Sequence, residues 1–146
     1  MSYTDPVTGE TYTPFIIEPS VGVSRLFLAL LVDAFVKEEN RVVLKFNPKL
    51  SPIKVAIFPL VSNKPELVQR ARGIYEDLKK SLVVAWDDRG NIGKRYLSQD
   101  EIGTPWCVTV DYATLEDGSV TVRDRDTTKQ VRIPIEKLSA YFQEKL

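Results

Sequence analysis

The spacing of apolar residues changes character near the middle of the chain. Tyr3 and Tyr12 flank Asp5-Pro6-Val7-Thr8-Gly9, a turn with proline early and glycine late, which predicts a hairpin. Phe15-Ile16-Ile17 reads as a short apolar strand ending at Glu18, and Pro19-Ser20-Val21-Gly22 breaks it. From Val23 to about Glu39, Leu26, Leu30 and Ala34 recur at helical spacing, as do Phe27, Leu31 and Phe35. Apolar residues also fill the intervals, so the predicted helix is one buried on most of its surface. Arg41 to Phe46 reads as a strand or a connector. Asn47 to Ser51, followed by Pro52, carries two prolines and predicts a boundary between residues 1–50 and 51–146.

Beyond the boundary the pattern alternates between strand and helix. Val55 to Val61 is almost continuously apolar, as in a strand covered on both faces. Asn63 with Glu66 fits a helix-starting box, and Pro65 suits a first turn. Leu67, Ala71, Ile74, Tyr75 and Leu78 then form one helical stripe. Leu82 to Trp86 is a second apolar strand, so the unit reads as strand-helix-strand with parallel strands. Asp87-Asp88-Arg89-Gly90 turns at its carboxyl end, where open α/β sheets gather ligands. The polar segment after Asn91 reads as a helix bracketed by Gly93 and Gly103, and Thr104-Pro105 should break any helix there. Trp106 to Val110 is a strand rich in β-branched residues. Glu116-Asp117-Gly118 predicts a hairpin turn, Ser119 to Arg125 alternates, Gln130 to Ile135 is another strand, and Leu138, Tyr141 and Phe142 line a closing helix. The expected fold is α/β, a mixed β-sheet with helices packed on it.

Composition narrows the chemistry. The chain has 146 residues, with 20 Lys plus Arg against 20 Asp plus Glu, so bulk charge does not draw it to nucleic acid. A local basic patch remains compatible with that balance. Histidine is absent, which removes Ser-His and Cys-His catalysis and the commonest transition-metal ligand. Cys107 is the single cysteine and lies in a predicted strand; it is expected to be inert core, in a reducing compartment. No apolar run of membrane-spanning length and no secretory leader is legible.

Two constellations carry candidate chemistry. The first is Glu18-Pro19-Ser20-Val21-Gly22-Val23-Ser24-Arg25, with a carboxylate at a strand end and an arginine on the first helical turn. The second is the polar surface of residues 51–146. Lys94, Arg95, Tyr96, Arg123, Arg125 and Arg132 supply cations and a stacking ring, while Asp100, Glu101, Asp124 and Asp126 supply acceptors. Such groups suit unpaired bases and phosphates, although the run Arg123-Asp124-Arg125-Asp126 also fits a self-neutralising strand. Trp106 fits either a core aromatic or a base-stacking platform.

IGKRY, QDEIGTP, CVTVDY, TLEDGSVTVRDRDT and QVRIPI, in that order, resemble the C-terminal anticodon-binding domain of class II glycyl-tRNA synthetases. EPS followed by G-V-x-R and a long apolar helix resembles the third signature motif of the same family. The resemblance implies that residues 1–50 end a class II catalytic domain and residues 51–146 form the anticodon-binding domain. It implies glycine contacts at Glu18, Ser20 and Gly22, and ATP contacts at Gly22 and Arg25, with Mg2+ accompanying the nucleotide in the full-length enzyme. It further implies tRNA(Gly) contacts at Lys94, Arg95, Tyr96, Asp100, Glu101, Arg123 and Arg125. The family's other two motifs are not in these residues, so this chain alone is expected to have no catalytic residue, no cofactor, no metal and no activity. The full-length protein is expected to be a cytoplasmic homodimer that attaches glycine to tRNA. Rival readings are a non-catalytic protein on the same fold, such as a DNA polymerase processivity subunit, or a free-standing anticodon-domain paralogue.

Overall fold

A computed structural model describes residues 2–146. Its centre is a five-stranded mixed sheet of order β6-β5-β7-β8-β9. Strands β5 (Val55–Pro59), β6 (Val84–Trp86) and β7 (Trp106–Val110) are parallel; β8 (Ser119–Asp124) and β9 (Gln130–Pro134) continue it antiparallel. The predicted strand-helix-strand unit is therefore present, closed by helix α2 (Pro65–Leu78). α2 begins with Pro65 in its first turn, but Lys64 holds the cap position and no side chain caps the helix. The Asn63 box does not form.

Side-chain alternation sorts the strands onto two faces. Val55, Ile57, Val108, Val110, Val120 and Val122 face one way, where Leu67, Ala71, Ile74 and Leu78 of α2 cover them. Leu138 and Phe142 of α5 (Leu138–Lys145) complete that core, and Phe142 lies 5.5 Å from the Trp106 ring. Trp106 is thus a core aromatic. On the opposite face, Ala56, Phe58 and Cys107 meet Ile92 and Tyr96 of helix α3 (Ile92–Ile102). Burial pushes the Cys107 thiol far above the ordinary thiol range, as expected of inert core.

A short helix, α4 (Tyr112–Asp117), replaces the hairpin turn expected at Glu116–Gly118. Asp111 accepts from the Thr114 amide while the Thr114 hydroxyl accepts from the Asp111 amide, and Gly118 ends the helix at φ 65°. The connection from β7 to β8 is therefore a capped helical turn, selected by side chains that a hairpin pattern ignores.

The first fifty residues differ more from expectation. Strands β1 (Tyr3–Thr4) and β2 (Thr11–Tyr12) form the predicted hairpin, with the two tyrosine rings 5.6 Å apart. Phe15, Ile16 and Ile17 do not form a strand; they are exposed and irregular, because no neighbouring strand takes their backbone bonds. Helix α1 (Val23–Ala34) ends five residues before the expected end at Glu39. Phe35–Lys37 becomes strand β3, pairing antiparallel with β4 (Val42–Leu44). Nor is α1 buried on most of its surface: among its residues only Ala34 is buried, and Phe27, Leu28 and Val32 face solvent. No helix of the described residues is long and apolar enough to cross a membrane.

Candidate functional site

Helix α3 organises the polar chemistry. It starts at Asn91, whose side chain accepts from the Lys94 amide at 2.9 Å, and it stops at Gly103 with φ 87°. Positive φ alone favours glycine there, and close approach adds to it. A Cβ at Gly103 would lie 2.6 Å from Phe46 Cδ2 and 2.8 Å from the Leu44 carbonyl. The helix C-terminus is thus pressed directly onto the end of β4.

The inward side of α3 holds Arg95, Gln99 and Asp100, all buried. Arg95 donates to the carbonyls of Pro59 (2.6 Å), Arg89 (3.0 Å), Gly90 (2.8 Å) and Asp88 (3.2 Å). One guanidinium thereby fixes the turn after β6 against the end of β5. Arg123 engages both oxygens of Asp100, at 2.8 and 2.9 Å, and its guanidinium lies 4.9 Å from the Tyr96 ring. Tyr96 shares a 2.6 Å hydrogen bond with Thr109, and burial raises its phenol above the ordinary value. Arg125 donates to the carbonyls of Gly103 and Phe46 and pairs with Asp126.

The residues picked out in the sequence divide by exposure. Arg95, Asp100, Arg123 and Arg125 are 3%, 0%, 7% and 2% exposed, too enclosed to meet a macromolecule in this conformation. Arg123 pairs with Asp100 and Arg125 with Asp126, while Arg95 has its donors taken up by four backbone carbonyls, which is what makes their burial tolerable. Asp100 and Glu101, adjacent in sequence, point to opposite environments, since Glu101 is exposed. Arg132 is likewise occupied: it bonds Asp111 at 2.7 Å and Asp117 at 3.0 Å. Burial alone would lift the Asp111 carboxyl, but the Arg132 and Thr114 bonds outweigh it and hold the group below the ordinary range.

The outward side of α3 is the accessible one. Lys94, Leu97, Ser98 and Glu101 are exposed and fall at helical spacing, forming one stripe about 10 Å long at 1.5 Å rise per residue. At the amino end of that stripe the carboxyl ends of β5 and β6 border an open groove of about 520 Å³. Leu60, Val61 and Ile92 give it an apolar lining, and Ser62, Asn63 and Asn91 a polar one. The groove occupies the strand end that the topology favours for ligands. Asn63 was not singled out as a site residue by its sequence, because its only legible signal was the helix-starting box. Farther along the sheet edge, Arg72 lies 3.7 Å over the Trp86 ring, whose Nε1 has no hydrogen-bond partner among the described residues.

The first constellation is placed differently. Glu18, Ser20, Gly22 and Arg25 are all exposed; the first three lie on an irregular stretch and Arg25 in the first turn of α1. Arg25 folds back so that its side-chain carbons lie 3.7 to 3.9 Å from where a Gly22 Cβ would stand. The four residues do not enclose a pocket by themselves.

Residues 54–145 match the family model of the anticodon binding domain. The chain is 54% identical over 150 residues to a glycine-tRNA ligase of Caldanaerobacter subterraneus subsp. tengcongensis, covering 100% of this chain and 32% of that protein. It is 48% identical over 151 residues to the glycine-tRNA ligase of Clostridium acetobutylicum, covering 100% of this chain and 32% of that protein. It is 46% identical over 155 residues to that of Streptomyces coelicolor, covering 100% and 34%. The chain thus spans about a third of the length of the curated relatives it matches.

Proposed function

We infer that this chain, which belongs to the anticodon binding domain family, is the tRNA-reading C-terminal part of a glycine-tRNA ligase. The observation that carries this reading is the 54% identity to a glycine-tRNA ligase across the whole of the chain, on a fold whose residues 54–145 match the anticodon binding domain. The longer enzyme would activate glycine with ATP and Mg2+ and transfer it to tRNA(Gly), acting as a homodimer in the cytoplasm.

Within that reading, the RNA-facing surface is the outer stripe of α3 together with the groove at the ends of β5 and β6. Lys94 is an accessible cation beside the N-terminus of α3, a favourable position for a phosphate. Glu101 and Asn63 are exposed polar groups able to meet base edges. The Arg95, Asp100, Arg123 and Tyr96 group serves by holding this surface in shape. Glu18, Ser20, Gly22 and Arg25 would take up glycine and ATP once the rest of the catalytic domain surrounds them. A carboxylate suits the substrate ammonium, and a permanently charged planar fork suits a polyphosphate. The exposed apolar face of α1 fits the same assembly.

The test uses the full-length enzyme. Lys94→Ala and Asn63→Ala should lower kcat/KM for tRNA(Gly) by about 1–3 kcal/mol in the transfer reaction while leaving glycyl adenylate formation unchanged. Loss of adenylate formation in step with transfer, or no loss in either, would remove this surface from tRNA reading. Glu18→Gln should weaken glycine use by roughly 2–4 kcal/mol, the scale for one partner of a buried charge pair.

A further inference from the structure

Residues 35–46 lie before the matched family region, yet they are fastened to it at both ends. β3 starts at the residue after the last one of α1, with no loop between them. The Ala34 carbonyl, at the end of α1, accepts from the Lys45 amide at 2.7 Å. The root of the hairpin is held by Arg125, which donates to the Phe46 carbonyl at 2.7 Å, and by the bare Cα of Gly103 against Leu44 and Phe46. Its tip is held by Arg41. Nε and Nη2 of that residue bond Glu38 at 2.6 and 3.2 Å, and Nη1 bonds both Asp100 Oδ2 at 2.9 Å and the Arg125 carbonyl at 2.8 Å. Each nitrogen of the guanidinium is engaged, and the side chain is 9% exposed.

We propose that the β3–β4 hairpin is a strut fixing α1 against the five-stranded domain, with Arg41 a positioning residue for transfer of glycine to tRNA. This rests on the tRNA-reading function above. α1 carries Arg25 at its start and runs without a break into the strut at its end. The strut is therefore a continuous covalent and hydrogen-bonded connection between that helix and the domain bearing α3. Fixing the two in advance spares the tRNA-bound enzyme the ordering of one against the other in the transition state for transfer. Adenylate formation needs no such alignment. Nor does binding of an isolated anticodon arm.

Arg41 can be removed without dismantling the domain. Asp100 retains both bonds to Arg123, so its charge stays paired in an Arg41→Ala variant. The experiment compares parent, Arg41→Ala and Arg41→Lys in the full-length enzyme. Expected for Arg41→Ala are glycine-dependent ATP-pyrophosphate exchange and affinity for an anticodon stem-loop within about twofold of the parent. The kcat for transfer to tRNA should fall by about tenfold or more, with KM for tRNA changed much less. Arg41→Lys, which can still bond Asp100, should recover part of that loss. Amide hydrogen exchange should quicken in β3 and β4 and stay unchanged in β5 and β7. An unchanged transfer kcat beside quickened hairpin exchange overturns the coupling. Unchanged hairpin exchange overturns the clamp. A parallel fall in adenylate formation assigns Arg41 to general support of the catalytic fold and also overturns the proposal. Failure of the parent itself to prefer a glycine anticodon stem-loop would instead strike at the tRNA-reading function.

Discussion

Helices α1 and α3 are of similar length and opposite design. α1 reads VSRLFLALLVDA, and of its residues only Ala34 is buried. α3 reads IGKRYLSQDEI, and its buried residues are Arg95, Gln99 and Asp100. The more apolar helix stands in solvent while the more polar one is sunk against the sheet. Polarity did not decide which helix was buried; the supply of partners did. Every buried charge on α3 meets a carbonyl, a carboxylate or a guanidinium within hydrogen-bond distance, whereas the apolar residues along α1 meet little that is apolar among the described residues. A helix of that composition is built for a covered position, in keeping with relatives three times as long as this chain.

The contrast is broken most directly at Asp100. Asp100→Ala strips Arg123 of its carboxylate, leaves Arg41 paired with Glu38 alone, and should lower the unfolding free energy of this chain by about 3–5 kcal/mol, read from urea titration. A loss below about 1 kcal/mol would put this buried network on a par with surface pairs and end the distinction. Next in size, Gly103→Ala adds a Cβ at positive φ against Phe46 and Leu44. It should destabilise by about 1–3 kcal/mol, with faster amide exchange around Lys45. If the chain tolerates alanine there at no loss, α3 and β4 are not pressed together.

Acid sharpens the comparison further. Hydrogen bonds from Arg41 and then Lys45 hold the Glu38 carboxyl at about 2, against an ordinary 4.5. A depressed carboxylate contributes stability above its unfolded value and loses it as pH falls through the folded one. The melting-temperature gap between parent and Glu38→Gln should thus be constant above pH 4.5 and close as pH approaches 2. The side chain is 34% exposed, so solvent screening keeps the gap modest. A gap independent of pH would deny the pairing. The smallest effect belongs to α1. Leu28→Lys, at a position 61% exposed, should change the stability of this chain by no more than about 0.5 kcal/mol. A loss above about 2 kcal/mol would mean that α1 is covered after all.

The same two helices mark what could be read from residue order. Strands β5 and β7 and helix α2 were legible, because burial follows short periods such as Leu67, Ala71, Ile74 and Leu78. The end of α1 was not, since Phe35 keeps helical spacing with Leu31 while its backbone pairs with Leu44. α4 hid behind Gly118, which serves as readily to end a helix as to turn a hairpin. At the candidate site, Lys94 and Glu101 were picked out by type, and their shared outward stripe follows from their spacing. The arginines were picked out by type, and their burial was not legible. Arg41 meets Asp100 across 59 residues and the Arg125 carbonyl across 84, and no local pattern announces partners so distant. An arginine waiting for a phosphate and one already bound to an aspartate look the same in one dimension.

The single cysteine has a practical consequence. Cys107 sits in β7, flanked by β5 and β8, at 1% exposure. A thiol-specific reagent cannot reach it while α3 stays seated on that face of the sheet. Fraying of α1 would leave it silent. Labelling of the unaltered chain therefore times the openings that lift α3 from the sheet or part its middle strands. One native atom thus serves as a clock for the release of α3, with no engineered probe and no competing sulfhydryl to correct for.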